Sequence, residues 1–457
     1  MDNIKREAIE QRFNRIVVFF CCLLVIALPI SIALVESMAG FVILLFLTKK
    51  ILLCRHDIEC GRKPDLWGFI IPRVEGNSHL NRAAGVYLGF AAVSIIFSQF
   101  PMESFTAFIG KVLEGYCLYV CFVDCIKTRR HLKKIITVAV LTLLLIAIDG
   151  IAQFFLGFDI LRHRPIFARR ASATLRHAND LGAYLITFIP IVFAILLLPL
   201  QRGSSLIKEW NKGFLGTDVA SKVISGFTFC LTLVCLGLTF SRGSWVGFLV
   251  SIIIFGSILR RYLVHILIIS LVFLIVFLPF LSKIRDVSFT SDNVTIEREY
   301  SHIDPTPENL EKMTEGERAR VAIAHRLNLG MGRFGFWEEA TALIKKYPLT
   351  GSGLNTYSKL ENMYAHNCYL QMAAEIGIPG LLAFLVMVGV VFLRALRSLA
   401  ELKDPYWEAM LVAFLSGMAA FLIQSFFDTT LYSVQLGALF WVMVGLIGAV
   451  SRVRLMN

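Results

Sequence analysis

The stretch AHNCYLQMAAEIGIPGLLAFLVMVGVVFL, Ala365 to Leu393, decides how the rest of the chain is read. From Ile378 onward it is an uncharged apolar run, long enough to cross most of a ~30 Å hydrocarbon core as a helix. Before that run stand His366 and Asn367, then nine residues, then Gly377, with Gly380 in the opening of the run itself. A titratable, hydrogen-bonding pair at the mouth of a membrane helix marks a functional site, because polar groups are costly there. Helical spacing places Leu370, Ala373, Ala374 and Gly377 on the face of His366, where small residues permit close packing that would hold the imidazole rigid. Pro379 is expected to separate this stretch, as an interfacial helix, from the span beyond it.

Similar runs recur along the whole chain. Of its 457 residues 56% are hydrophobic and only 17% charged, with a mean hydropathy of +0.69, which excludes an ordinary soluble domain. Apolar runs fall near 16–31, 33–48, 83–98, 106–124, 134–155, 181–200, 222–240, 245–259, 262–282, 378–393, 408–427 and 433–451. The first two are also readable as one element broken at Glu36. Backbone groups in lipid must be satisfied locally, so the fold class is an all-α polytopic membrane protein with about twelve transmembrane helices. No small-residue cleavage site follows the run that starts at Ile16, which makes it a retained anchor. The chain divides into residues 1–282 with helices one to nine, an outer (periplasmic) loop or lid at 283–366, and 367–457 with helices ten to twelve.

Basic residues orient this array. Lys5, Arg6, Arg12 and Arg15, the run KTRRHLKK from Lys127, Arg260 and Arg261, and Arg452 with Arg454 all fall on one side if both termini are cytoplasmic. The net charge of +12 is then mostly a topological signal, and nucleic acid is not needed to explain it. The 283–366 segment, with nearly balanced charges, reads as a small folded cap. A second outer segment, Gly157 to Asp180, carries Arg162, Arg164, Arg169, Arg170 and Arg176 with only two acids. Arginines on the disfavoured side suit a bound phosphate or pyrophosphate, whose oxygens match guanidinium forks. Headgroup attraction or snorkelling at the interface is the plainer alternative.

Of ten cysteines only Cys368 falls near the outer face, so no outer disulfide framework is expected. No CxxC, HExxH, paired acidic metal motif or Walker-type phosphate loop occurs, which disfavours a nucleotide-driven pump and a metal-dependent transferase. No metal or other cofactor is expected. Arg242, in TFSRGSW, lies in a very short outer turn where its guanidinium is exposed at the mouth. Lys111 and Glu114, three apart on one helical face, read as a mutually neutralising pair. Asp149 and Gln153 either line a polar cavity or bond a neighbouring helix. Asp428, ending the eleventh helix, faces outward and either partners a basic residue or caps a helix terminus.

Four features in order carry a resemblance: RHAND with Asn179 opening the sixth helix, SRG at Ser241 to Gly243, RFGFWEEATALIKKYPLTGSGLNTY from Arg333, and AHNCYLQMAAEIGIPG. The chain resembles the O-antigen ligase family, related to O-antigen polymerases and bacterial O-oligosaccharyltransferases. Every defined position of the ligase signature agrees in the last feature; the Arg-x-x-x-Trp with Pro and Gly-x-Gly is shared more widely. The resemblance implies the membrane fold of lipid-linked-sugar glycosyltransferases in a bacterial inner membrane. It implies transfer of a glycan from undecaprenyl diphosphate to a hydroxyl of lipid A–core oligosaccharide at the periplasmic face. His366 corresponds to the signature histidine, Arg333 to the arginine of the outer loop, and Arg242 to that of the SRG segment, as the catalytic set. Asn367, Trp337, Asn179, Asp428 and the arginines 162, 164, 169, 170 and 176 are the expected substrate-binding residues. A polymerase or protein O-glycosylating enzyme would differ only in its acceptor. A transporter using Arg242, Lys111, Glu114 and Asp149 is the reading from another class, against which no inverted repeat is visible.

Overall fold

The first two apolar runs part at Ser31, and not at Glu36. In this computed structural model, residues 2–64, 78–167, 169–198, 219–260, 332–361 and 363–453 are described, with a few isolated positions between 264 and 321. Helix α1 (Asp2–Ile30) ends just after Pro29, and Ser31 takes an extended conformation before α2 (Ile32–Glu59) begins. Proline supplies no amide to the helical ladder, which makes this the natural point for the chain to turn. Glu36 lies within α2.

The succeeding elements are α3 (Ser78–Ile96), α4 (Pro101–Ala107), a π-helical turn (Phe108–Leu113), α5 (Glu114–Cys125), α6 (Arg129–Leu156), α7 (Ala178–Leu197), α8 (Val219–Leu238) and α9 (Arg242–Ile258). After them come α10 (Gly332–Lys346), α11 (Tyr357–Leu360), α12 (Cys368–Leu399), α13 (Pro405–Phe427), a 3₁₀ turn (Thr430–Tyr432) and α14 (Val434–Val450). Among the described residues there is no strand, only the isolated bridges Phe158–Pro165 and Phe167–Arg170. Among the described residues eight helical stretches are long and apolar enough to cross a membrane by length and composition: α1, α2, Pro101–Cys125, α6, α7, α8, α12 and α13; α9 and α14 are shorter and apolar. The run at 262–282 and most of 283–331 lie outside the described residues.

Local chemistry sets several boundaries. Asp404 accepts from the Tyr406 amide at 3.0 Å with Pro405 at the first helical position, which starts α13; Thr128 caps α6 through the His131 amide at 3.2 Å. Helix α12 kinks at Gly377, whose φ of 76° leaves the helical region. There the PLTGSG loop supplies the missing partners. Ile378 N donates to Pro348 O at 2.9 Å, while Ser352 N and Gly353 N donate to the carbonyls of Ala374 and Glu375, each at 2.9 Å. A Cβ on Gly377 would lie 2.3 Å from Leu349 O, so this approach demands glycine.

Helices α7 and α13 form the centre, packed on each other and on α9, with α14 against α5 and α12 against α3 and α10. The flanks expose large apolar side chains such as Leu44 at 60%, Leu145 at 62% and Val386 at 59%, as faces in contact with lipid do. The buried Lys49 is paired: it bonds Asp124 and, at 2.9 Å, Asn14. The expected Lys111–Glu114 pair does not form. The π-helical turn carries Lys111 and changes the register before Glu114, and the ammonium donates instead to Asn355 Oδ1 at 2.8 Å and Tyr432 O at 3.2 Å.

Candidate active site

Three helices begin where α13 ends. Asn179, in the first turn of α7, bonds Asp428 directly after α13. Gly243, in the first turn of α9, has no room for a Cβ: it would sit 2.4 Å from Gln424 Oε1 and 2.8 Å from Phe427 Cβ. Cys368, opening α12, donates its thiol to Asp428 O at 3.2 Å. The positive ends of three helix dipoles therefore converge on one spot.

His366 stands at that spot, although not on the face of α12. Asn367 caps the helix by accepting from the amides of Tyr369 at 3.0 Å and Leu370 at 3.1 Å, so helical geometry starts only at Cys368. His366 precedes the cap with a left-handed φ of 49°. What holds its ring is Asp428, whose Oδ1 lies 3.1 Å from Nδ1, and the edge of Phe336, with ring centroids 5.4 Å apart. A carboxylate can only accept, so Nδ1 carries the proton and Nε2 of the neutral ring presents its lone pair. Nε2 has no hydrogen-bond partner among the described residues, and the side chain is one-third exposed. The ring is therefore held at one nitrogen and available at the other.

Asp428 is kept anionic. Burial alone would raise its pKa; the His366 hydrogen bond and charge, the Thr429 amide at 2.8 Å and the Asn179 amide prevail and hold it at about 2. Asn179 is fixed on its other side by Arg170, whose Nη2 donates to Asn179 Oδ1 at 2.6 Å and whose Nε donates to Thr239 O at 2.8 Å.

The remaining arginines divide by use. Arg162 donates to Ile30 O at 2.9 Å, at the end of α1, and Arg164 to Thr174 O at 3.2 Å, so both tie the 157–177 segment to itself and to the bundle. Asp149 and Gln153 do the same from α6: Asp149 accepts from the Ile160 amide at 2.8 Å, and Gln153 from those of Ser172 and Ala173, each at 2.8 Å. Arg169, Arg176 and Arg242 are exposed and make no hydrogen bond or ion pair among the described residues. Arg333 is the second residue of α10, one turn before Phe336; its side chain lies outside the described part. Trp337 packs on Phe426, with centroids 5.7 Å apart, beside the histidine.

His177 and Phe336 were not singled out by the sequence. His177 immediately precedes α7; burial first, then the Arg176 charge, hold its pKa below the usual histidine value, while Asp428 and His366 act on it as near neighbours. Its place in RHAND, two residues before Asn179, was the available signal. Among the described residues no group of three or more His, Cys, Asp or Glu is placed to hold a metal ion.

A family model described as O-antigen ligase matches residues 227–385, a span that holds Arg242, Arg333, Trp337, His366 and Asn367. Comparison with curated proteins gives no match.

Proposed function

We propose, from the match of residues 227–385 to the O-antigen ligase family model, that this chain moves a glycan from undecaprenyl diphosphate to a hydroxyl of lipid A–core oligosaccharide. The reaction takes place at the periplasmic face of a bacterial inner membrane, with both termini cytoplasmic. The acceptor oxygen attacks the anomeric carbon, and a new glycosidic C–O bond forms as the bond to the diphosphate oxygen breaks. Its electron pair leaves with the diphosphate. The hydroxyl proton passes to His366 Nε2, and Asp428 stabilises the imidazolium so formed. Charge on the leaving diphosphate is met by Arg242 and Arg333, with Arg169 and Arg176 nearby in sequence to the Asn179 helix start, and by the converging helix N-termini. Trp337 and Phe426 offer a sugar ring an aromatic wall.

The observation that carries this reading is the His366–Asp428 pair set among three helix N-termini, one of which, that of α9, opens with the exposed Arg242. The experiment is turnover and donor binding of His366→Ala in purified, reconstituted protein. Transfer is expected to fall to a small residual rate while donor binding persists. Wild-type turnover by the variant removes His366 from the mechanism.

A further inference from the structure

The sequence puts Asn179 and Arg170 among groups that touch substrate, whereas the geometry points to a different task. We propose that Arg170 and Asn179 are positioning residues for the His366 base, acting through Asp428; this rests on the general-base reading above. Asn179 is held at both ends. Its Oδ1 accepts from Arg170 Nη2 at 2.6 Å, and its Nδ2 donates to Asp428 Oδ2. A guanidinium is only ever a donor, so the amide has one allowed orientation: oxygen toward Arg170, nitrogen toward Asp428. The carboxylate then receives donors on both oxygens. Oδ2 takes the Asn179 amide, and Oδ1 takes the Thr429 amide at 2.8 Å and His366 Nδ1–H at 3.1 Å. With both oxygens accepting, Asp428 remains an anion and the histidine keeps its proton on Nδ1, leaving Nε2 basic.

Arg170 is itself fixed. Its Nε donates to Thr239 O at 2.8 Å, and the next residue, Ala171, donates its amide to Leu238 O at 2.9 Å. Thr239 lies in the turn that leads to Arg242, so the segment orienting the base is pinned to the segment that presents the diphosphate arginine. Loss of Arg170 would free the Asn179 amide to turn its oxygen toward Asp428, opposing acceptor to acceptor. A lysine there keeps the charge but cannot reach Thr239 O and Asn179 Oδ1 with one rigid fork.

The test uses the full chain in nanodiscs with a purified polyprenyl-diphosphate-linked glycan, measuring donor binding and turnover for Asn179→Leu, Asn179→Asp, Arg170→Gln and Arg170→Lys, alone and combined with His366→Ala. Asn179→Leu and Arg170→Gln are expected to lower kcat by roughly 10- to 100-fold, the range in which orienting partners act, with donor binding within about twofold of wild type on the same reasoning. Arg170→Lys is expected to recover part of the Arg170→Gln loss. Asn179→Asp preserves size and the Arg170 contact but sets two carboxylates together, and it is expected to lose kcat and some thermal stability while donor binding holds. In the His366→Ala background none of the four is expected to lower residual turnover further. The proposal is overturned if donor binding falls while kcat holds, if Arg170→Lys is no better than Arg170→Gln, or if losses multiply with His366→Ala. Full turnover by His366→Ala alone would instead remove the general-base reading; an inactive His366→Ala beside a fully active Asn179→Leu would remove only the positioning role.

Discussion

Replacing Asp428 with Asn measures how much of the base is made by its partner. The substitution keeps size but removes the charge facing Nδ1 and sets a second amide against Asn179. In the folded protein the carboxyl, 13% exposed, titrates at about 2 where a free aspartate has 3.8. That gap of nearly two pH units, at ~1.36 kcal/mol each, is about 2.5 kcal/mol net, what His366, Thr429 and Asn179 leave after the opposing cost of burial. The share belonging to His366 also stabilises the imidazolium that forms as the acceptor proton is taken. If His366 holds half or all of it, kcat falls by roughly 10- to 70-fold. Donor affinity is expected to stay unchanged, because both Asp428 oxygens are already taken by His366, Thr429 and Asn179. Linkage gives the second readout. The folded pKa lies below the unfolded one, so the stabilisation is complete above about pH 4 and is lost as pH falls through about 2. The thermal stability gap between wild type and Asp428→Asn should therefore be full at neutral pH and close on acidification through that window. A kcat within twofold of wild type, or a stability gap independent of pH, would refute the reasoning.

Gly377→Ala should destabilise the protein by at least ~1–3 kcal/mol, the cost of a left-handed non-glycine residue, because its Cβ would also meet Leu349 O; thermal unfolding in detergent checks this. Arg242→Ala should weaken donor binding and turnover by ~1.5–3 kcal/mol, with Arg242→Lys recovering only part, and a double change with Arg333→Ala should be non-additive in the same binding assay. Transfer should persist in excess chelator, since arginines and helix ends meet the diphosphate charge; an absolute requirement for added Mg²⁺ or Mn²⁺ would contradict that assignment.

Much of this organisation was legible because membrane helices announce themselves by composition. The apolar runs at 134–155 and 408–427 fall within α6 and α13, and the one at 181–200 covers most of α7; no knowledge of their neighbours was needed. Contacts between distant residues were not legible. His366 and Asp428 are 62 positions apart, and nothing local in FFDTT says which helix start its carboxylate will meet. The helical face assigned to His366 failed because Asn367 was more useful to the backbone as a cap, which pushed the histidine out of the helix. Lys111 and Glu114 show the same limit: their spacing implies contact only if the helix is regular, and a π-helical turn removes that regularity. The arginine cluster was visible as charge, but charge does not reveal that Arg162 and Arg164 answer backbone carbonyls while Arg169 and Arg176 remain free among the described residues.

Glycan transfer from a polyprenyl diphosphate to a lipid A–core hydroxyl is tested by reconstituting the purified protein with one lipid-linked glycan and a panel of acceptors. The panel holds rough lipopolysaccharide, a second lipid-linked repeat and a pilin-like protein. Release of polyprenyl diphosphate is expected in step with extension of the rough lipopolysaccharide, with only a small residue of either in His366→Ala. Extension of the lipid-linked repeat or the protein alone would contradict the acceptor assignment, and the absence of polyprenyl diphosphate release with every acceptor would contradict the transferase reading itself.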